Sequence, residues 1–337
     1  MKSLKESILA DMDDVLKSGN KTIKDSIKQW LKENLDKGIS KCKISRKPNN
    51  KGLYEVSATG DIEIRYTAQS IANEYFEWTS IINGNFYCTF NKNIINLKNG
   101  PKYVEKTFSI KSCDNLESLE GCPETIDGSF ICSFCNKLKS LNYGPKKVGI
   151  RYECESCNSL ESLKGAAEDI GYNTVKYNKV FSCSFCDNLK SLEGAPKEVG
   201  IFKCEYCPSL TSLKNGPEKV DKYIITNLSL KSLEGAPKEV FDFECRYMED
   251  LTSLKGMPEL ISNNCYIVNL PKLTSLKGCS KTVGNIFCCS ALINLESLEG
   301  APKVVGGDFV CRDIIKPTKF TEEDIKANTK VHGKIVI

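Results

Sequence analysis

Along most of the chain the apolar residues fall into a short repeating phrase rather than into long blocks. Its kernel is LxSLxGxP, and the second leucine recurs at Leu97, Leu119, Leu141, Leu163, Leu192, Leu213, Leu233, Leu254, Leu276 and Leu298. Most steps are 20–22 residues, but the step from Leu163 to Leu192 is 29, which places an insertion at 171–179. An eleventh unit begins at Phe309 and Cys311. Aligned on the leucines, a unit reads aromatic–x–Cys–x–x–Cys–x–x–Leu–x–x–Leu–x–Gly–x–Pro–x–x–Val. The fourth copy shows Tyr152, Cys154, Cys157, Leu160, Leu163 and Gly165, with Ile170 near the Val position. The aromatic–x–Cys segment alternates with period two, which predicts a short strand with both side chains inward. Gly and Pro then force a turn, as at Gly194–Ala195–Pro196 and Gly300–Ala301–Pro302, and a Val such as Val199 returns the chain to the next strand. One unit has too little apolar surface to fold alone, so the units must stack around a shared core with a parallel sheet along one side. The predicted fold class is a repeat solenoid (α+β, mainly β).

The ends break the period. Residues 1–40 read as a helical N-terminal cap of two amphipathic helices. Leu4, Ile8, Met12 and Val15/Leu16 form one stripe; Ile23, Ile27, Trp30/Leu31 and Leu35 form another, with a break at Ser18–Gly19–Asn20 and Gly38 as a C-terminal cap. Residues 41–80 alternate around Gly60 and read as a strand-rich adaptor leading into a solenoid over 81–315. Residues 316–337 form a C-terminal cap, with Thr321 capping a short helix over Glu322–Asn328 and GKIVI as a closing strand.

Four C-x-x-C pairs, Cys132/Cys135, Cys154/Cys157, Cys183/Cys186 and Cys204/Cys207, invite a zinc reading. The repeats supply their own control. Ile110, Ile225 and Ile267 replace the first Cys elsewhere, and Asn91, Met248, Leu270 and Leu292 replace the second. A metal ligand does not tolerate Ile or Leu, whereas a packing position does. Equivalent cysteines should therefore stack as inward ladders about 4.8 Å apart, with no metal and no cofactor. Cys288, between Phe287 and Cys289, should point outward.

The 18 cysteines sit in a chain whose start is charged every few residues and which has no long apolar span, so we read it as cytoplasmic, with reduced thiols. Net charge is +4, well mixed, which disfavours nucleic acid and membrane surfaces as partners. The one histidine, His332, lies beyond the repeats, and no phosphate-binding loop occurs. No catalytic residue is assigned, and the expected protein is not an enzyme; the stretch Asp169–Val180 is the first place to look for added function.

The repeat spacing resembles the leucine-rich-repeat superfamily in its short bacterial form. FxCSxCxxLxSLEGAPKEVG is further similar to repeats of uncharacterised leucine-rich proteins of tailed bacteriophages, and IKQWLKENL, YEVSATGDIEI and KFTEEDIKANTKVHGKIVI resemble their flanks. That resemblance implies a fold and, for a phage protein, work in the host cytoplasm, but no activity. Positions flanking the inward strand residues vary from copy to copy, which suits recognition. They include Tyr87, Arg151, Glu153, Glu155, Lys203, Glu205, Asp242, Glu244, Arg246 and Tyr266. Both charge signs and two tyrosines point to a protein partner, host or viral. The expected function is a protein-binding scaffold that engages and inhibits a host factor. The alternative is a structural assembly component that self-associates through its N-terminal helices.

Overall fold

The computed structural model describes residues 4–172, 179–314 and 320–337 of the chain. It is a β-solenoid. Each turn contributes its aromatic–x–Cys segment to a main sheet of 14 strands that begins at Leu35–Lys37 and ends at Ile335–Val336. Every pairing in that sheet is parallel except the first, Leu35–Lys37 against Ile62–Ile64. The parallel ladder extends on both sides of the predicted 81–315, since Ile62–Ile64 already pairs with Phe86–Thr89 and Ile335–Val336 pairs with Phe309–Val310.

Two-residue strands at the Val position form a back of two further sheets, of seven and five strands, the larger beginning with the longer strands Cys42–Ile44, Tyr54–Thr59 and Phe76–Ile82. Between the sheets every inward column is buried. Phe86, Phe108, Phe130, Tyr152, Phe181 and Phe202 stand over one another, as do Cys132, Cys154, Cys183 and Cys204, and the repeat leucines and valines fill the rest. Successive rings lie 4.7–6.3 Å apart from Phe86 to Phe243. Stacked aromatics at that separation add roughly 0.5–1.5 kcal/mol per pair beyond area burial.

The corner between back and main sheets depends on one residue. Three residues separate the back Val or Ile from the inward aromatic in most units, as in Val148 to Tyr152, but only two do so in Val199 to Phe202, Val220 to Tyr223 and Val240 to Phe243. At the first two of these short corners the turn disappears, whereas at the third a bend at Phe241 still separates Glu239–Val240 from Asp242–Arg246. Glu198–Cys207 and Lys219–Leu228 are continuous ten-residue strands that pair with each other from Glu198↔Lys219 to Cys207↔Leu228.

The N-terminus differs from the expected pair of helices. A single helix, α1 (Leu4–Asn34), runs through Ser18–Gly19–Asn20. One glycine costs a helix only about 1 kcal/mol, and tertiary contacts on the far side offset it. Ile27, Leu31 and Leu35 enter the core, Trp30 meets Phe76 edge-on at 5.2 Å, and Tyr54 Oη donates to Asn20 Oδ1 at 2.9 Å. The side chains of the first predicted stripe, Leu4 to Leu16, lie outside the described residues. Gly38 takes φ 95°, but it turns the chain between Leu35–Lys37 and a 3-10 turn at Ile39–Lys41 instead of ending the helix. At the other end a second helix, α2 (Glu322–Asn328), carries a full capping box: Asp324 N donates to Thr321 Oγ1 at 3.2 Å and Thr321 N to Asp324 Oδ2 at 2.8 Å.

Candidate functional site

Three features of the coil have chemistry to offer: the thiol columns, the outer face of the main sheet, and the turn that follows each main strand.

The two cysteine positions do different things. The first points into the core beside the ring column. The second donates its S–H to a main-chain carbonyl of the preceding turn: Cys113 to Cys88 O at 3.6 Å, Cys157 to Cys132 O at 3.4 Å, Cys186 to Cys154 O at 3.3 Å and Cys207 to Cys183 O at 3.3 Å. The Cys132, Cys154 and Cys183 carbonyls sit where pairing with the next strand gives way to the turn, so a buried donor there satisfies an acceptor at the end of the ladder. Asn91 fills the same slot with its amide, donating to Arg65 O and Ala68 O at 2.9 Å each. All 18 thiols are free, and burial pushes those of Cys122, Cys154, Cys186, Cys245 and Cys265 well above the ordinary thiol range. Among the described residues no three His, Cys, Asp or Glu side chains converge as a metal site.

On the main sheet the residues singled out from sequence fall into two clusters and one outlier. Arg151 pairs with Glu153 at 2.8 Å and Lys203 with Glu205 at 2.7 Å, while Glu155 accepts from Ser182 Oγ. Glu205, with Glu155 and Glu153 nearby, raises the Lys203 ammonium above its ordinary range. Further along, Glu244 holds Lys222 at 2.6 Å and Arg246 at 3.4 Å, and the Arg246 guanidinium lies 4.9 Å over the Tyr266 ring. Asp242 accepts from Asn263 Nδ2 at 2.9 Å and Asn264 N at 3.0 Å. Tyr87 stands apart, three strands from Glu153 across Ser109 and Ile131. Most of these charges are thus neutralised within the sheet. Cys288 lies in the same outward row, between Tyr266 and Val310, with its thiol 3.3 Å from Ser290 Oγ. Of the insertion at 171–179, residues 173–178 lie outside the described residues; at its rim Tyr172 Oη donates to Asp127 Oδ1 at 2.5 Å.

The third feature is not marked by the alternation of inward and outward residues. At or just past the end of eleven of the main strands one residue adopts a left-handed backbone: Phe90, Ser112, Phe134, Ser156, Phe185, Tyr206, Asn227, Tyr247, Asn269, Ala291 and Asp313, all with φ between 53° and 59°. Ladder pairing continues through this residue, as Phe90 N donates to Lys111 O at 2.9 Å, Phe134 N to Glu155 O at 2.9 Å and Phe185 N to Glu205 O at 2.7 Å. The conformation suits Asn and Asp and costs a bulky residue roughly 1–2 kcal/mol. Five turns nevertheless place aromatics there, and the rings are exposed: Phe90 69%, Phe134 54%, Phe185 45%, Tyr206 43% and Tyr247 48%. Phe185 and Tyr206, on adjacent turns, stack at 4.9 Å and 7°. The signal was present in the repeat as the residue before the second Cys, where Phe or Tyr alternates with Ser, Asn and Asp.

No family model matches this chain, and neither a curated protein nor a solved structure matches it.

Proposed function

We propose that this chain is a cytoplasmic, non-catalytic protein-binding scaffold: a leucine-rich-repeat coil whose ends are closed by α1 and by the segment carrying α2. One observation carries the reading. Five aromatic side chains stand in solvent at a backbone position that penalises them, so they stabilise neither the turn nor the core. Strain of that kind concentrates at functional sites, and exposed aromatic rows mark binding surfaces. The mixed, internally paired charge beside them suits a protein partner better than a phosphate backbone. Among the described residues no helix is long and apolar enough to cross a membrane. The likeness of the repeat phrase to phage repeat proteins makes an inhibited host protein the partner to seek first.

The test is capture from host lysate by the immobilised protein. A partner held by wild type and lost from a Phe134→Asn/Phe185→Asn/Tyr206→Asn variant supports the reading; equal retention by both overturns the aromatic row as the site. Swapping the charges of the pairs, Arg151→Glu with Glu153→Arg, keeps the ion pair while reversing its pattern, and so probes the sheet face separately.

A second reading, self-association into an assembly, is favoured by the terminal strand Ile335–Val336, which ends the main sheet beside an Ile337 that is 57% exposed. Light scattering on the full chain, on a version lacking residues 1–17 and on Val336→Lys separates the routes: a monomer in every form rules self-assembly out.

A further inference from the structure

We propose that the exposed aromatic row binds a proline-rich segment in the polyproline II conformation, with prolines seated between successive rings and a basic residue beside Glu155. The proposal deepens the protein-binding reading above and rests on it.

The first argument is period. Phe90, Phe134 and Phe185 occupy alternate turns, with the small residues Ser112 and Ser156 on the turns between them. Each serine therefore marks a slot bounded by a ring on either side. Adjacent strands lie about 4.8 Å apart, so the two slots repeat every ~9.6 Å. A polyproline II helix has three residues per turn at ~3.1 Å each, a repeat of ~9.3 Å. Every third residue of such a helix thus arrives at successive slots without strain. An extended β-strand, with its side chains recurring on one face every ~6.8 Å, falls out of register after one slot.

The second argument is shape. Phe185 and Tyr206 turn their faces to each other along the coil axis, 7° from parallel. Closed on each other at 4.9 Å, the two rings form one ridge that bounds the Ser156 slot, and aromatic grooves receive prolines in clefts beside such ridges. A glycan lying along the row would need ring faces turned outward. Single-stranded nucleic acid would need a basic groove, yet Glu155 and Glu205 directly precede Ser156 and Tyr206.

Charge is the third. Glu155 borders the Ser156 slot, accepts only from Ser182 Oγ, and forms no ion pair with a cation among the described residues. A lysine or arginine in the ligand would supply that cation and fix the direction in which the segment lies.

The experiment uses the full chain and an immobilised peptide library with proline fixed at every third position, flanking arginine included, against a library of the same composition in shuffled order. We expect enrichment from the ordered library, then at least tenfold weaker binding of the selected peptides by Phe134→Asn and by Phe185→Asn. Glu155→Gln should weaken only the arginine-bearing peptides, about fivefold. Tyr143→Asn, removing an exposed ring outside the row, should change nothing. The Asn variants relieve backbone strain, so their melting temperatures should not fall, and lost binding cannot then be ascribed to unfolding. No enrichment of the ordered library, or equal binding by the Asn variants, overturns the proposal. If a lysate partner is still lost from those variants while the ordered library is not enriched, the scaffold reading stands and the polyproline ligand falls. If oligothymidine or a β-linked glucan binds in a Phe185-dependent way instead, the ligand class assigned here is wrong.

Discussion

Tyr152 and Tyr223 stand in the inner ring column with their rings packed against neighbours on both sides, Phe130 at 4.7 Å and Phe181 at 5.3 Å for the first, Phe202 at 5.2 Å and Phe243 at 6.2 Å for the second. Their hydroxyls are buried and lack a hydrogen-bond partner. An orphaned buried hydroxyl costs roughly 1–3 kcal/mol, and removing it without changing the ring's shape recovers part of that cost. Tyr152→Phe and Tyr223→Phe should therefore each stabilise the fold by about 1 kcal/mol in chemical denaturation, in a position where Phe is already the common residue. A loss of stability in either variant would mean that the hydroxyl has found a partner. The same scale explains why the second position is so often cysteine. Packing alone accounts for its replacement by Leu270 and Leu292, but its thiol also serves a carbonyl that Leu cannot reach. The first property is visible in the copies of the repeat; the second depends on where the strand ends, which the alternation pattern does not specify.

At the scale of the element, α1 shows how local signals lose to tertiary ones. Ser18–Gly19–Asn20 is a reasonable break in isolation, yet the helix crosses it because Asn20 accepts from Tyr54 and the following turns bury Ile27 and Leu31. A methyl at Gly19 would meet nothing within 4 Å, and its φ is not left-handed. Gly19→Ala should then strengthen the helix by about 1 kcal/mol, read as a gain in helical circular dichroism with no change at Trp30 fluorescence; a fall in helicity would show that the glycine is needed for a bend. The strands were more legible. Period two fixed which face of each main strand points inward, and Thr321 marked the start of α2, since both signals are local. The two-residue back strands and the ten-residue strands were not legible, because each depends on the length of a corner, a difference of one residue in three consecutive units. The aromatic row was written in the sequence in full. Inward and outward alternation, however, says nothing about a residue whose backbone is left-handed.

At the scale of the whole molecule, the columns of buried thiols tie stability to pH. Burial raises the thiols of Cys122, Cys154, Cys186, Cys245 and Cys265 well above their ordinary range, whereas in the unfolded chain they ionise near 8.5. The folded state therefore keeps protons that the unfolded state releases. A group raised in this way contributes its full stability below the unfolded pKa and loses it as pH climbs toward the folded one. Each such thiol should cost about 1.4 kcal/mol of stability per pH unit above roughly 8.5. Five acting together would erase the few kcal/mol to fifteen that hold an ordinary domain within about two units. The coil should thus unfold cooperatively between about pH 9 and 11 under reducing conditions, while remaining stable at neutral pH, and unfolding should release protons. Below that range thiol-directed alkylation of the native protein should be confined to the partly exposed Cys42, Cys279 and Cys288, with Cys42 and Cys279 slow because burial pushes them up to about 11 and about 12. Replacing Cys154 and Cys186 with Ala should lower stability at pH 7 through lost packing and flatten its alkaline decline. An alkaline midpoint unmoved by that pair of substitutions would assign the transition to the tyrosines instead.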